Sequence, residues 1–371
     1  MKQQMIQLLH EAEGFVSGQE LCDHFGVSRT AVWKVINQLK EEGYIIESVT
    51  RKGYRLLEAP DLMTAEEIFA ARGRIHSACG PVSSETPANA SSNGALRDIA
   101  GEKLKMGCRI LSYDTIDSTN IRAAKLDEEG YPSGSLVVSE EQTAGKGRRG
   151  RSWSSPSGKG IFMSLMIRPE INPNHASMLT LVAALAVSRA ISRVLGTKLP
   201  ENALAIKWPN DIVLNGKKIV GILTEMNAQM DYVNHIVIGI GINVHNTDFP
   251  DDIKDTATSL YKESGVRIKR ADLIAAFLDE FEHDYEIFLK TEDLSALQEE
   301  YNKLLINRNR QVKVLDPKGE FTGIAKGIDV TGELLVEVEH SGEKAGNPTQ
   351  EIEVKKISSG EVSVRGIYGY V

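Results

Sequence analysis

The residues best suited to chemistry in this chain lie at positions 141–153. There Gly145-Lys146-Gly147-Arg148-Arg149-Gly150-Arg151 sets four cations and three glycines in seven positions, with Trp153 just beyond. Glycine lets a backbone approach a ligand closely and adopt φ > 0, while Lys and Arg offer charge and donors to phosphate oxygens. Like charges on a glycine-rich segment repel and disfavour order, so an anion that gathers them is the economical explanation. A basic surface loop or a nucleic-acid patch is the alternative that this segment alone leaves open.

Three further segments carry polar or permissive residues at useful places. Asp117-Ser118-Thr119-Asn120 stands between a predicted strand and a predicted helix. Hydroxyls and the first helical N–H groups suit a polar ligand there, although Ser118 or Asp117 could simply cap the helix. Lys207-Trp208-Pro209-Asn210-Asp211 puts a lysine at a strand end before a turn, from which its ammonium can reach a cleft. Gly239-Ile240-Gly241-Ile242-Asn243 has its glycines on one strand face, consistent with close backbone approach. This run lacks the following helix and the spacing of a dinucleotide fingerprint, which excludes a Rossmann site. No Ser/His/Asp arrangement and no acids at metal-ligand spacing are found, so no protein-held metal is expected. The eight His are scattered, and Cys22, Cys79 and Cys108 suit reduced thiols rather than disulfides or a zinc site.

The elements that must position these residues fall into three groups. A length of 371 residues suggests two or three domains, and 41% hydrophobic with 25% charged residues is the composition of a soluble globular protein. A net charge of -8 argues against coating nucleic acid through bulk charge, so any DNA contact must come from a local patch. Residues 1–10 hold no apolar run behind a basic start, so no signal peptide is expected. The most apolar segment, 178–194, contains Ser188, Arg189 and Arg193 and reads as a buried amphipathic helix rather than a membrane span. A cytoplasmic location is the expectation.

Residues 1–60 read as a winged helix-turn-helix. Met5, Leu8, Leu9 and Ala12 have helical spacing, Leu21 and Phe25 mark a second helix ended by Gly26, and Ser28 caps a third carrying Val32, Val35, Ile36 and Leu39. Residues 44–48 and 53–56 can pair around the basic turn Thr50-Arg51-Lys52. Between Ser28 and Arg55 six basic residues less three acidic ones give +3. The candidate DNA-contacting residues are Gly18, Gln19, Ser28, Arg29, Thr30, Trp33, Lys34, Asn37, Arg51 and Lys52, on the turn, the recognition helix and the wing. Residues 61–107 are read as a linker: Thr64-x-x-Glu67 is a capping box opening a short helix over 64–71, and 81–94 is a polar, Pro-containing insert. Residues 108–310 form an α+β domain with a mixed, mostly antiparallel sheet. Its strands are expected at 109–113, 135–140, 160–167, 204–207, 211–214, 217–227 and 234–244, and its helices at 118–129, 177–196, 269–289 and 295–305. Residues 311–371, with short β runs and glycine turns, read as a small all-β barrel.

In this order the four segments resemble the catalytic domain of biotin–protein ligases, from residue 108 to residue 371. The winged helix is similar to that of the bifunctional members that also repress biotin operons. The resemblance implies an SH3-like C-terminal barrel and ATP-dependent formation of biotinyl-5′-AMP, followed by transfer of biotin to a lysine of a biotin carboxyl carrier domain. It further implies Mg²⁺ with the ATP, the adenylate as corepressor, operator DNA and a ligand-promoted homodimer as partners, and no membrane. Residue by residue, Ser118, Thr119, Asn120 and Gln142 would bond the ureido ring of biotin, and Lys146, Gly147 and Arg148 would line its carboxylate and the adenylate phosphate. Trp153 would cover the adenine and Asn210 read its edge, while Lys207, with Arg148, would serve the reacting carboxylate and α-phosphate. Lys146 stands where the family often has Arg. Two other readings remain: a biotin-sensing repressor without turnover, and a ligase for the related acid lipoate.

Overall fold

The computed structural model describes residues 1–12, 14–78, 105–316, 319–344, 347–359, 363–366 and 370. The polar insert at 81–94 and Cys79 lie outside them. Contacts divide the chain into two compact units: Met1–Leu104 with Ile110–Ser112 and Lys269–Ala276, and the remaining residues.

The first unit opens with helices α1 (Lys2–Glu11), α2 (Gly18–Phe25) and α3 (Arg29–Glu41), then strands β1 (Ile45–Val49) and β2 (Gly53–Glu58), and helix α4 (Ala65–Ala78). Ser17 and Ser28 cap α2 and α3 by accepting from the N–H groups of Glu20 and Ala31, and Gly26 ends α2 in the left-handed conformation at φ 64°. On α3 the predicted stripe Val32, Val35, Ile36 and Leu39 is the buried one. It joins Met5, Ile6, Leu9 and Leu21 in one core, and β1 pairs antiparallel with β2. Helix α4 is longer than the short helix expected at 64–71, and it packs on α1. Only half of the capping box forms: Thr64 Oγ1 accepts from Glu67 N–H at 3.3 Å. The Glu67 carboxylate does not return to the helix start, because it is buried and takes the Tyr44 hydroxyl at 2.5 Å.

The second unit holds a seven-stranded sheet. Its elements are β3 (Arg109–Ile116, of which 110–112 cluster with the first unit), α5 (Thr119–Glu128), β4 (Ser135–Gln142), β5 (Gly160–Ile167), α6 (Met178–Leu195), β6 (Leu204–Lys207), β7 (Asp211–Leu214), β8 (Lys217–Ala228) and β9 (Val233–Asn243). Helices α7 (Leu260–Ser264), α8 (Arg270–Thr291) and α9 (Gln298–Leu304) follow. Strand order is β3-β4-β5-β9-β8-β7-β6. The pairs from β4 across to β6 run antiparallel, whereas β3 and β4 are joined through α5, a helical crossover of the kind that links parallel neighbours. β5 is apolar and buried throughout except for one polar residue, Ser164, which is buried with it. Helix α5 packs on β4, β5 and β9, and α6 on β6, β7 and β8. By length and composition the α6 region could cross a membrane, but thirteen of the 18 residues of α6 are buried in the protein interior. The short α7 was not expected from sequence. Five residues show too little periodicity to read, and Ser259 caps it through the Lys262 N–H.

The C-terminal sheet comprises β10 (Arg310–Leu315), β11 (Phe321–Ile328), β12 (Leu334–Lys344), β13 (Asn347–Ile357) and β14 (Ser363–Gly366), in the order β13-β12-β11-β10-β14 with every adjacent pair antiparallel. This is the small all-β unit read from sequence. Among the described residues β13 and β14 stand at opposite edges, so a closed barrel is not found. β13 is an edge strand in which Ile352 and Val354 are exposed, so its sequence lacks the half-buried alternation of an interior strand.

Candidate functional site

The site is a partly open cavity over strands β8 and β9. It is lined by Ser118, Thr119, Asn120, Gln142, Lys146, Gly147, Arg148, Trp153, Asn210, Gly239, Ile240 and Gly241, all singled out from sequence, together with Met163, Lys218, Gly221, Ile222 and Leu223. Lys207 is not among them.

One part of the wall is a network of amide and hydroxyl groups anchored on one carboxylate, Glu225. Gln142 Oε1 accepts from the Thr119 backbone N–H at 2.8 Å and from its hydroxyl at 3.0 Å, and Gln142 Nε2 donates to Ser155 Oγ at 2.9 Å. Asn120 Nδ2 donates to Glu225 Oε2 at 2.7 Å and to Leu223 O at 3.3 Å. Ser164 Oγ lies 2.8 Å from Thr119 Oγ1 and 2.6 Å from Asn120 Oδ1, with one proton to give. Such a network fixes both amides in one orientation, which is what selective hydrogen bonding to a small polar ring requires. Ser118 makes no side-chain cap bond on α5; instead Asp117 Oδ1 accepts the Ser118 N–H at 2.6 Å, so simple capping by Ser118 is not its role.

The basic loop is a closed turn held by its own bonds. Gly147 N–H donates to Arg151 O at 2.7 Å, Trp153 N–H to Gly145 O at 2.9 Å, and Lys146 bridges Ser152. Arg148 donates to Asn210 Oδ1 at 2.7 Å and to the Ser359 carbonyl. Protein groups therefore offset the repulsion inferred from sequence. Burial, helped by nearby Arg149 and opposed by Asp211, lowers the Arg148 pKa from its ordinary value.

The glycines have a specific use. Gly221 and Gly241 are register partners on β8 and β9, and a Cβ on them would lie 2.6 Å and 2.5 Å from the Trp153 indole. A Cβ on Gly239 would lie 1.9 Å from Asn120 Oδ1. The bare sheet floor thus seats one aromatic ring and one amide. Trp153 Nε1 is buried without a hydrogen-bond partner, an orphan donor in the cavity wall. The Lys218 ammonium sits 5.3 Å from the centroid of the same ring and 2.6 Å from Asp211 Oδ1.

The resemblance sets Lys207 against the reacting carboxylate and α-phosphate, and in this structure it is not among the residues that line the cavity. Its side chain is 7% exposed, with the ammonium 3.2 Å from the centroid of the Tyr370 ring. Burial lowers its pKa to about 8; Asp211 opposes the shift, and Lys218, Arg365 and Arg151 reinforce it. Besides Lys146, Lys218 reaches the cavity, a residue that sequence pattern does not single out, and neither does it single out Ser164, Glu225 or Tyr370. A lone polar residue in an apolar strand was the available signal for Ser164.

The DNA-contacting candidates all belong to the first unit. Gln19, Ser28, Arg29, Thr30, Trp33, Lys34, Arg51 and Lys52 are exposed, Gly18 and Asn37 half-buried. Trp33 is 55% exposed, high for an indole unless it has a partner. Arg29 donates to Gln19 Oε1 at 3.0 Å, tying the two helices of the motif, and Lys52 lies 5.8 Å from the Phe15 ring centroid.

Residues 112–243 match the Biotin/lipoate A/B protein ligase family, residues 2–55 the HTH domain, and residues 309–365 the Biotin protein ligase C terminal domain. The chain is 40% identical over 343 residues to the bifunctional ligase/repressor BirA of Bacillus subtilis (strain 168), covering 91% of this chain and 94% of that protein. It is 31% identical over 362 residues to the protein of the same name from Escherichia coli (strain K12), covering 97% and 96%. Among solved structures, the biotin protein ligase from Aquifex aeolicus in complex with biotin and ATP aligns with a TM-score of 0.57 at 30% identity, covering 70% of this chain and 99% of that one. With a winged helix, a ligase sheet and a C-terminal sheet matched over nearly its whole length, the chain belongs to the family of bifunctional biotin ligase/repressors.

Proposed function

We propose that this protein is an ATP-dependent biotin–protein ligase that doubles as a biotin-responsive repressor. One observation carries the reading: a single cavity joins an ordered amide–hydroxyl network to the cations Lys146, Arg148 and Lys218. The network suits the ureido ring of biotin, and the cations suit its carboxylate beside the α-phosphate of ATP. A carboxylate oxygen attacks the α-phosphorus, the bond to the β-phosphate bridge breaks, and pyrophosphate leaves. Donors aimed at that gathering charge supply the main stabilisation. A lysine amine of the carrier domain then attacks the mixed anhydride, AMP departs, and the amine proton is lost. Trp153 Nε1, an orphan donor, is free to bond a ligand acceptor.

Lys218 takes the role first given to Lys207, because it lines the cavity. Mg²⁺ would enter on the phosphate oxygens; among the described residues no group of three or more His, Cys, Asp or Glu is placed to hold a metal. The first unit would bind operator DNA, with the adenylate as corepressor and a ligand-promoted homodimer as the binding form. We further infer a cytoplasmic location and an SH3-like closure of the C-terminal sheet.

The test is a mass measurement after incubation with biotin, Mg-ATP and a biotin carboxyl carrier domain. A carrier gaining one biotin and stoichiometric pyrophosphate are expected. Biotin binding without pyrophosphate would leave a sensing repressor, and preferential attachment of lipoate would make this a ligase of the other kind.

A further inference from the structure

Asp211, the first residue of β7, is gripped from two sides. Its Oδ2 accepts the Tyr370 hydroxyl at 2.5 Å, and its Oδ1 lies 2.6 Å from the Lys218 ammonium. That Oδ1 is buried and has no aligned hydrogen bond, so Lys218 is held there by charge rather than by direction. The ring of Tyr370 lies under the Lys207 ammonium, for which no ion pair is formed among the described residues. Tyr370 belongs to the segment after β14 and reaches 159 residues back to Asp211. Arg148 meets the same C-terminal region through Ser359, and Trp208 Nε1 through Gly332 O at 3.0 Å.

We propose that Tyr370 is a positioning residue for adenylate formation: it holds Asp211 from behind, so that Lys218 can turn from Asp211 to the anions in the cavity. The proposal rests on reading that cavity as the biotin and ATP site. The physical reason is compensation. A buried carboxylate that loses its ammonium partner is strongly disfavoured unless other groups satisfy it. The Tyr370 hydroxyl keeps a charge-assisted bond to Asp211 when Lys218 leaves. The ring brings the positive charge of Lys207 alongside, since an ammonium on an aromatic face is attracted by the ring quadrupole. Lys218 is thereby spared a choice between its resting partner and its substrate.

The test measures biotin-dependent ATP–pyrophosphate exchange on the full chain with Tyr370→Phe, Tyr370→Ala and Lys218→Ala. Tyr370→Phe keeps the ring and the packing but loses the bond to Asp211. It should lower kcat about fivefold to tenfold, the effect of one hydrogen bond on a rate, with the protein still fully folded at the assay temperature. Tyr370→Ala, which also uncovers Lys207, should lose more. The proposal is overturned if Tyr370→Phe stays within about twofold of wild type in kcat, if only the KM for ATP moves, or if its lost activity tracks unfolding at the assay temperature. Faster turnover in Tyr370→Ala would make the side chain a plug instead. Lys218→Ala separates the two readings: normal exchange in that variant removes Lys218 from the site itself, whereas its loss beside a normal Tyr370→Phe overturns the tyrosine's role alone.

Discussion

Lys207 and Lys218 flank Asp211 and differ in what their ammonium groups can reach. Removing a preorganised donor from a charge-gathering step costs about 100-fold or more in rate. Lys218→Ala should therefore cut pyrophosphate release by at least that factor while leaving the melting temperature near wild type, since the residue lines the cavity and not the core. Near-normal release would return Lys218 to surface status. Lys207 is separable by pH. Its pKa is lowered to about 8, so it is charged below that value and neutral above it. If its charge on the Tyr370 ring supports the site, adenylate formation should fall as pH rises through about 8, and Lys207→Arg should carry that limb to higher pH. A profile indifferent to the substitution would leave Lys207 a packing residue.

Several elements were legible from residue pattern alone. β5, β6 and β7 begin and end where short apolar runs and turn residues put them, and α3 buries the stripe its spacing announced. Lys218 was not legible for a local reason. The register between β7 and β8 slips, with Ile212 facing Val220 and Val213 facing Lys218. Ile219 is thus extra, and counting alternate residues no longer says which of Lys217 and Lys218 faces the cavity. Tyr370 left no trace because its partners are remote in sequence.

Helix α8 offers a test of the packing around it. Asp284 is fully buried, and burial raises its pKa from 3.8 to about 6 against the opposing pull of Arg189. The folded state binds this proton more tightly than the unfolded chain, so the group's contribution to stability is greatest at low pH. It declines as pH rises from 3.8 to about 6 and is level beyond. Asp284→Asn should remove that slope from the melting temperature measured across the window. A slope that survives the substitution belongs to other groups.

The two compact units divide the work of the whole molecule. Arg29 stands at the start of the recognition helix and Lys52 on the wing, so Arg29→Ala with Lys52→Ala should weaken operator binding. It should also reduce the salt dependence by about two ion contacts. Adenylate formation should be untouched, as every cavity residue belongs to the other unit. Loss of both functions together would mean that the double variant unfolds. For the switch, sedimentation with and without biotin plus ATP should show a ligand-dependent dimer. An unchanged monomer population would leave an enzyme with a DNA-binding arm and no corepression.

The three tryptophans of this chain also make it its own spectrometer. Trp33 stands exposed on the recognition helix, Trp153 lies on the glycine floor beneath Lys218, and Trp208 is buried with its indole N–H on Gly332 O. Emission from the first would follow operator docking, from the second cavity occupancy, and from the third the seating of the C-terminal sheet. Two Trp→Phe changes at a time would leave one reporter in each of three variants, which side by side could time the arrival of ligand, the settling of the C-terminal sheet and the capture of DNA.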